Sequence, residues 1–289
     1  MPKARLSPIQ KFSNVLFHES RTKVMGVINT TPDSFSDGGI HFERDAAIAS
    51  GLDMLEQGAD ILDIGGESTR PGSLPVGVDE EIRRTIPVIS GICSQAPDAV
   101  VSIDTRRKAV ADAATEAGAV IINDVSGFRD DPELAQSARD NGAFLVVMHM
   151  LGAPRNMQTD IHYDSFPGDI VTFFKQRIAD LEKIGVAPEK IILDPGIGFG
   201  KTFNQNLILI NRLQEFSELG KPLLMGPSRK AFIGTIIGEP EASKRDVATM
   251  AAICMSICRG AAIVRAHDVR STVQVARVTD AILRERVEM

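Results

Sequence analysis

V-V-S-I-D-T-R-R-K-A-V-A-D-A-A-T-E-A-G-A-V-I-I-N-D, residues 100–124, holds one complete unit of the fold. An apolar run at 100–103 ends in Asp104. An amphipathic stretch follows, Gly118 punctuates its end, and a second apolar run at 120–123 leads into Asn123-Asp124. Short apolar runs bounded this way read as strands, and the longer stretch between them as a helix.

Outward from this unit the alternation repeats along the chain. Candidate strands fall at 24–29, 60–64, 100–103, 120–123, 144–148, 190–193, 222–225 and 261–264. In the segment 44–58, Ile48, Leu52 and Leu55 stand at i, i+4 and i+7. In 168–184, Ile170, Phe173, Phe174, Ile178 and Leu181 keep the same helical period. Asp79 is read as the cap of a helix over 80–94, and Gly142 as a helix end. Pro188 and Pro222 stand just before strands, where a missing N–H is tolerated. The strand runs are nearly all apolar, as strands covered on both faces must be. Eight of them separated by helices predict a single-domain (β/α)8 TIM barrel over 24–289. A doubly wound open sheet is the alternative on pattern alone. Residues 1–23 precede the first strand and are expected to close the bottom of the barrel.

Bulk properties bound the function. The 289 residues are 43% hydrophobic and 24% charged, with a net charge of −6. That argues against a broad nucleic-acid surface, yet a few converging cations can still hold a small anion. The three cysteines (Cys93, Cys254 and Cys258) have no zinc spacing and read as thiols of a reducing compartment. The N-terminus lacks a signal-peptide run, and no apolar stretch nears the ~18 residues of a membrane span. The expected location is cytoplasmic, without membrane partners.

Barrel chemistry collects at the carboxyl ends of the strands. There the sequence places Asn29, Asp63, Asp104, Asn123-Asp124, Met148-His149, Asp194, Ser228-Arg229-Lys230 and Arg265-Ala-His267-Asp268. One such residue is usually a cap or turn former. Eight strand ends carrying them point to a shared mouth. Arg70, Arg229, Lys230, Arg265 and His267 can neutralise an anion such as a diphosphate. Asp63, Asp104, Asn123 and Asp194 suit a ligand with N–H donors, such as the edge of a pterin or guanine. Asn29 can complete an oxygen-ligand Mg²⁺ site shared with phosphate oxygens and waters. No E-x-x-D or D-x-D pair suggests an all-protein metal cage. Gly196 to Thr202 ends in G-K-T, but Pro195 breaks the phosphate-loop pattern, so Lys201 and Thr202 read as a helix start. His149 has no nucleophile motif near it.

The wording of the loops goes further. M-G-V-I-N-T-T-P-D-S-F-S-D-G-G (25–39) and G-G-E-S-T-R-P-G-S (65–73) closely resemble the two signature segments of dihydropteroate synthases. I-D-T (103–105), I-I-N-D-V-S-G (121–127), V-M-H-M-x-G-x-P-x-x-M-Q (147–158), L-D-P-G-I-G-F-G-K-T (193–202), S-R-K (228–230) and R-A-H-D (265–268) resemble the rest of the set, in order.

The resemblance implies an enzyme that joins 6-hydroxymethyl-7,8-dihydropterin pyrophosphate to p-aminobenzoate, releasing pyrophosphate with Mg²⁺. It implies Asn29 as metal ligand. Asp104, Asn123, Asp194 and Lys230 would hold the pterin, with Met148 and Phe199 around the ring. Thr69, Arg70, Arg265 and His267 would take the pyrophosphate, and Thr69, Pro71 and Ser228 the p-aminobenzoate. Lys230, Arg265, His267 and Arg70 would be the catalytic set. The role of Asp63 stays open between pterin contact and support. The two signature loops are expected to act as a lid, and the family is usually a homodimer and a sulfonamide target. Leu151, Ala153 and Asn156 depart from the family's habit in the fifth loop, which bears on affinity.

Three other readings remain. A methyltetrahydrofolate-dependent methyltransferase barrel shares the Asp and Asn contacts but has no need of T-R-P-G, S-R-K and R-x-H together. A Schiff-base aldolase would need a desolvated lysine, whereas Lys230 adjoins Arg229 and a polar loop. A catalytically silent pterin-binding protein keeps the pocket without the chemistry.

Overall fold

The computed structural model describes residues 6–30, 40–68, 73, 75–153 and 156–287, with main chain alone at 40–43. Eight parallel strands form one sheet: β1 (Lys23–Asn29), β2 (Ile61–Gly65), β3 (Val101–Asp104), β4 (Ile121–Asp124), β5 (Phe144–Met148), β6 (Ile191–Asp194), β7 (Leu224–Met225) and β8 (Ile263–Ala266). They follow the order β6-β5-β4-β3-β2-β1-β8-β7. A parallel bridge between Leu193 and Leu223, with Leu193 N donating to Pro222 O at 2.9 Å, joins β6 to β7. The result is a nearly closed (β/α)8 barrel, as the alternation predicts.

Helices cover the outside: α2 (Ile40–Glu56), α3 (Val78–Gln95), α4 (Lys108–Glu116), α5 (Leu134–Asn141), α6 (Gly168–Lys183), α7 (Phe203–Asn211), α8 (Ala231–Ile237), α9 (Asp246–Cys258) and α10 (Val269–Arg284). α3 begins two residues earlier than Asp79 suggests. Gly77 stands at its N-cap, and Asp79, Glu80 and Glu81 lie in the first turn, where carboxylates face the positive end of the helix.

Several strands run one residue beyond their apolar stretch. Asp104 pairs with Gly65 and Asn123, and Asp194 pairs with Met148. A hydropathy pattern stops at the first polar side chain, but ladder hydrogen bonds belong to the main chain and continue past it. β7 is the reverse case. Pro222, at the start of the expected strand, has no N–H to give, and only Leu224–Met225 join the ladder with β8.

The strands sort their side chains into two cores. Val24, Ile28, Leu62, Ile64, Val101, Ile103, Ile122, Leu145, Val147, Ile191, Leu193 and Val264 pack outward with the helices. Met25, Ile61, Ile121, Phe144, Val146, Ile192, Leu224 and Ile263 form an inner cluster with Phe12 and Leu16 of α1 (Pro8–His18). That helix is started by a capping box: Gln10 N donates to Ser7 Oγ at 3.3 Å and Ser7 N to Gln10 Oε1 at 3.0 Å. Its Phe12 is fully buried, edge-on to Phe144 with ring centroids 4.6 Å apart. Cys93, Cys254 and Cys258 are free thiols.

Truncating Phe12 opens a void beneath the strands. Phe12→Ala is expected to lower unfolding free energy by about 3–5 kcal/mol in urea titrations. A loss below ~1 kcal/mol, as for a surface position, would mean that α1 is not part of the core.

Candidate active site

Because side chains alternate along a strand, the residue two places after a floor residue faces the same interior, one layer higher. Ile61 is thus followed by Asp63, Ile121 by Asn123, Val146 by Met148, Ile192 by Asp194 and Ile263 by Arg265. Five of the eight strands rest apolar residues on the floor and then present polar ones or Met148 above it; Asp104 follows Ser102 on β3 in the same parity.

Arg265 ties this layer together. Its Nε donates to Asp63 Oδ2 at 2.7 Å and its Nη2 to Asp104 Oδ2 at 3.2 Å. Asn123 Nδ2 donates to the same Asp63 Oδ2 at 3.0 Å. Asp63 is wholly buried, and its Oδ1 has no hydrogen-bond partner among the described residues. Its other oxygen is engaged by Arg265 and Asn123.

The charges do not behave as isolated ones. Burial, followed by the adjacent Asp63 charge, pushes the Asp104 carboxyl up to about 8 against the pull of Arg265. Burial raises Asp194 to about 6, opposed by the Gly196 N–H, Lys230, Lys201 and Arg265. Gly196 N donates to Asp194 Oδ1 at 2.8 Å. Burial and the Arg265 charge bring Lys230 down to about 8. Its ammonium lies over the Phe199 ring, 4.1 Å from the centroid.

Two expectations need correction. His267 was read as a cation, but burial and the charges of Arg265, Arg229 and Lys230 lower it to about 4, so the ring is neutral at pH 7. Ser228 Oγ accepts the His267 main-chain N–H at 3.3 Å and lies 2.9 Å from Nδ1. The Ser228 hydroxyl thus holds both the main chain and the ring of His267, fixing the orientation of the neutral imidazole. Arg229 was read as another free cation. It holds Asp246 through two contacts of 2.7 Å and so is committed to the start of α9. The positive charge also runs deeper than a rim, since Arg265 lies among the carboxylates.

Asn29 ends β1 opposite Gly65, and no described residue hydrogen-bonds its side chain. Among the described residues no cluster of three or more His, Cys, Asp or Glu could hold a metal. Thr69, Arg70, Pro71 and most of both proposed lid loops lie outside the described residues. In the fifth loop, Asn156 Oδ1 accepts the Ala153 N–H at 3.0 Å, so that departure from the family pattern makes a local turn.

Sequence reasoning passed over Lys201 and His149. Thr202 does start α7, its Oγ1 accepting from Gln205 N at 3.2 Å. Lys201, one residue earlier, is buried, with its Nζ 3.1 Å from His149 Nδ1. Nothing in G-F-G-K-T distinguishes an inward lysine from a solvated one.

The chain matches the model of the pterin binding enzymes over residues 25–267. It is 47% identical over 264 residues to the dihydropteroate synthase of Synechocystis, covering 91% of each chain. The Yersinia pestis dihydropteroate synthase, solved with a sulfonamide drug, superposes with a TM-score of 0.86 at 40% identity, covering 92% of this chain and 95% of that one. The Xanthomonas albilineans dihydropteroate synthase, solved with 7,8-dihydropteroate, gives 0.82 at 40% identity, over 91% and 94%. The chain belongs to the pterin-binding enzyme family, and within it to the dihydropteroate synthases.

The raised Asp104 value makes a stability prediction. Its native value of about 8 exceeds the ordinary 3.8, so protonation favours the folded state. That contribution is complete below about pH 4 and is lost as pH rises through 8. The stability of Asp104→Asn relative to the parent should therefore increase steadily from pH 4 to 8 in urea titrations. A pH-independent difference would show that pairing with Arg265 keeps Asp104 charged throughout.

Proposed function

We infer that this chain is a transferase that condenses 6-hydroxymethyl-7,8-dihydropterin pyrophosphate with p-aminobenzoate, giving 7,8-dihydropteroate and pyrophosphate. The observation that carries the reading is the Asp63–Arg265–Asp104 cluster with Asn123 and Asp194 in one buried layer. Dihydropteroate synthases related along nearly the whole chain agree with it. The methyltransferase reading has no such support.

The pterin lies on this layer. Asp194, ionised above about pH 6, accepts from the N–H edge of the ring. Asp104, protonated at pH 7, offers one donor and one acceptor, and Asn123 completes the set. Met148 and Phe199 pack around the ring, and Lys230 bridges the Phe199 face and the carboxylates. The diphosphate takes Arg265, the neutral His267, Thr69 and Arg70. Thr69, Pro71 and Ser228 form the p-aminobenzoate pocket.

The Asn29 amide, which no described residue hydrogen-bonds, is a suitable oxygen donor for an ion bound with the diphosphate. Asn29 would hold Mg²⁺ with phosphate oxygens and waters, and the ion would offset charge on the leaving group.

The residues favour C–O cleavage before amine attack. Arg265 and His267 stabilise the departing diphosphate, while ionised Asp194 under the ring favours the positive charge left on the pterin-CH₂ group. The p-aminobenzoate amine then adds to that carbon and gives its surplus proton to solvent. No covalent enzyme intermediate is required.

Residues 24–289 are read as one barrel unit, with 1–23 as an extension beneath it. No described helix is long and apolar enough to cross a membrane, and a cytoplasmic location is proposed. A homodimer is proposed through α9 and α10, where Val247, Met255, Val278 and Ile282 are exposed.

A coupled assay should show sustained, multiple-turnover pyrophosphate release that requires both substrates. Sustained release without p-aminobenzoate dependence, or no release at all, would overturn the assignment. Arg265→Ala, verified as folded, should lose about 10²- to 10³-fold in kcat/KM. Near-normal kcat/KM would remove Arg265 from the mechanism.

A further inference from the structure

Lys201 is 1% exposed, and among the described residues no carboxylate lies within ion-pairing distance of it. A buried ammonium without a counter-ion is costly, so its donors must all be used. They are: Nζ lies 3.2 Å from His149 O, 3.0 Å from Phe199 O and 3.1 Å from His149 Nδ1. His149 belongs to the chain leaving β5, and Phe199 to the loop leaving β6. Burial also brings its ammonium down to about 7, so it is charged on the acid side of neutrality. One lysine thus joins two neighbouring loops.

The joint sits directly behind the pterin layer. His149 N donates to Asp194 O at 2.9 Å. Gly196, with φ 75°, passes so close that an added Cβ would lie 1.9 Å from His149 O and 3.3 Å from Lys201 Nζ. Gly198 and Gly200 also have left-handed φ, of 83° and 63°. A loop of three such residues has little conformational preference of its own. Tyr163 Oη, donating to Gly200 O at 2.8 Å, Gln158 Nε2, donating to Gly198 O at 3.0 Å, and Asn206 Oδ1, accepting from Gly198 N at 2.7 Å, hold the outer part of the loop.

We propose that Lys201 is a positioning residue for the pterin site, latching the β6 loop to the end of β5 so that Asp194 and Phe199 keep their places. The proposal rests on the pterin reading of that site. Lys201 also acts through charge. Asp194 is faced by Lys201, Lys230, Arg265 and the Gly196 N–H, all of which favour its ionised form. Lys201 in turn faces Asp194, Lys230, Arg129 and the neutral His149.

Lys201→Met, Lys201→Arg and His149→Ala separate the two effects. Binding of pterin-6-carboxylate is measured by calorimetry from pH 5 to 8, thermal melting reports folding, and KM for p-aminobenzoate is taken from pyrophosphate release. Lys201→Met should bind the pterin about ten-fold more weakly, the size of one lost buried hydrogen bond. Its acid limb should move to higher pH, because Asp194 loses a positive neighbour and is protonated more easily. Lys201→Arg should leave that limb in place. His149→Ala should weaken binding without moving the limb, since the lysine charge remains. KM for p-aminobenzoate should stay unchanged in all three.

A folded Lys201→Met with parental affinity and an unmoved acid limb overturns the proposal. If that variant does not fold, parental pterin affinity in His149→Ala overturns it instead. Failure of the parent protein to bind the pterin would count against the functional reading itself.

Discussion

Three carboxylates brought together above an apolar floor repel one another and lose their hydration, and Arg265 is what makes the arrangement tenable. Its guanidinium reaches Asp63 and Asp104 at once, and Asn123 shares the Asp63 oxygen. A planar fork of donors can do this where a lysine ammonium could not span both partners in fixed directions. Even so the compensation is partial. Asp104 is still pushed up to about 8, so the layer carries less negative charge at pH 7 than its three carboxylates suggest.

The same barrel separates jobs by depth. Phe12, Phe144 and the inner isoleucines seal the floor, and the polar layer stands two residues further along each strand. Above it, loops replace strands, and order depends on individual contacts. Arg229 is held by Asp246, and Ser228 directs the His267 ring. Each of these contacts fixes a side chain that sequence position alone leaves free to rotate.

Much was legible beforehand, for identifiable reasons. Apolar runs located every strand because parallel strands are covered on both faces, and the polar residue closing each run marked the mouth. Asp104 and Asp194 could be named as site residues without coordinates. The protonation of His267 could not, because burial sets it, followed by the charges of Arg265 and of Arg229 and Lys230 from the loop after β7. Lys201 was missed for a similar reason. Its neighbours on β5 lie about fifty residues away in the chain, and a lysine before a helix cap is usually solvated.

The sequence by itself determined the alternation of strands and helices, the parity that sends Asp63, Asn123, Asp194 and Arg265 inward, and the kind of ligand those groups suit. These follow from local periodicity, which each residue carries with it. Only the tertiary structure decided which acid meets Arg265, which histidine stays neutral and which lysine is buried. Those depend on desolvation and on charges a few ångströms apart in space but far apart along the chain, and no local pattern records such distances.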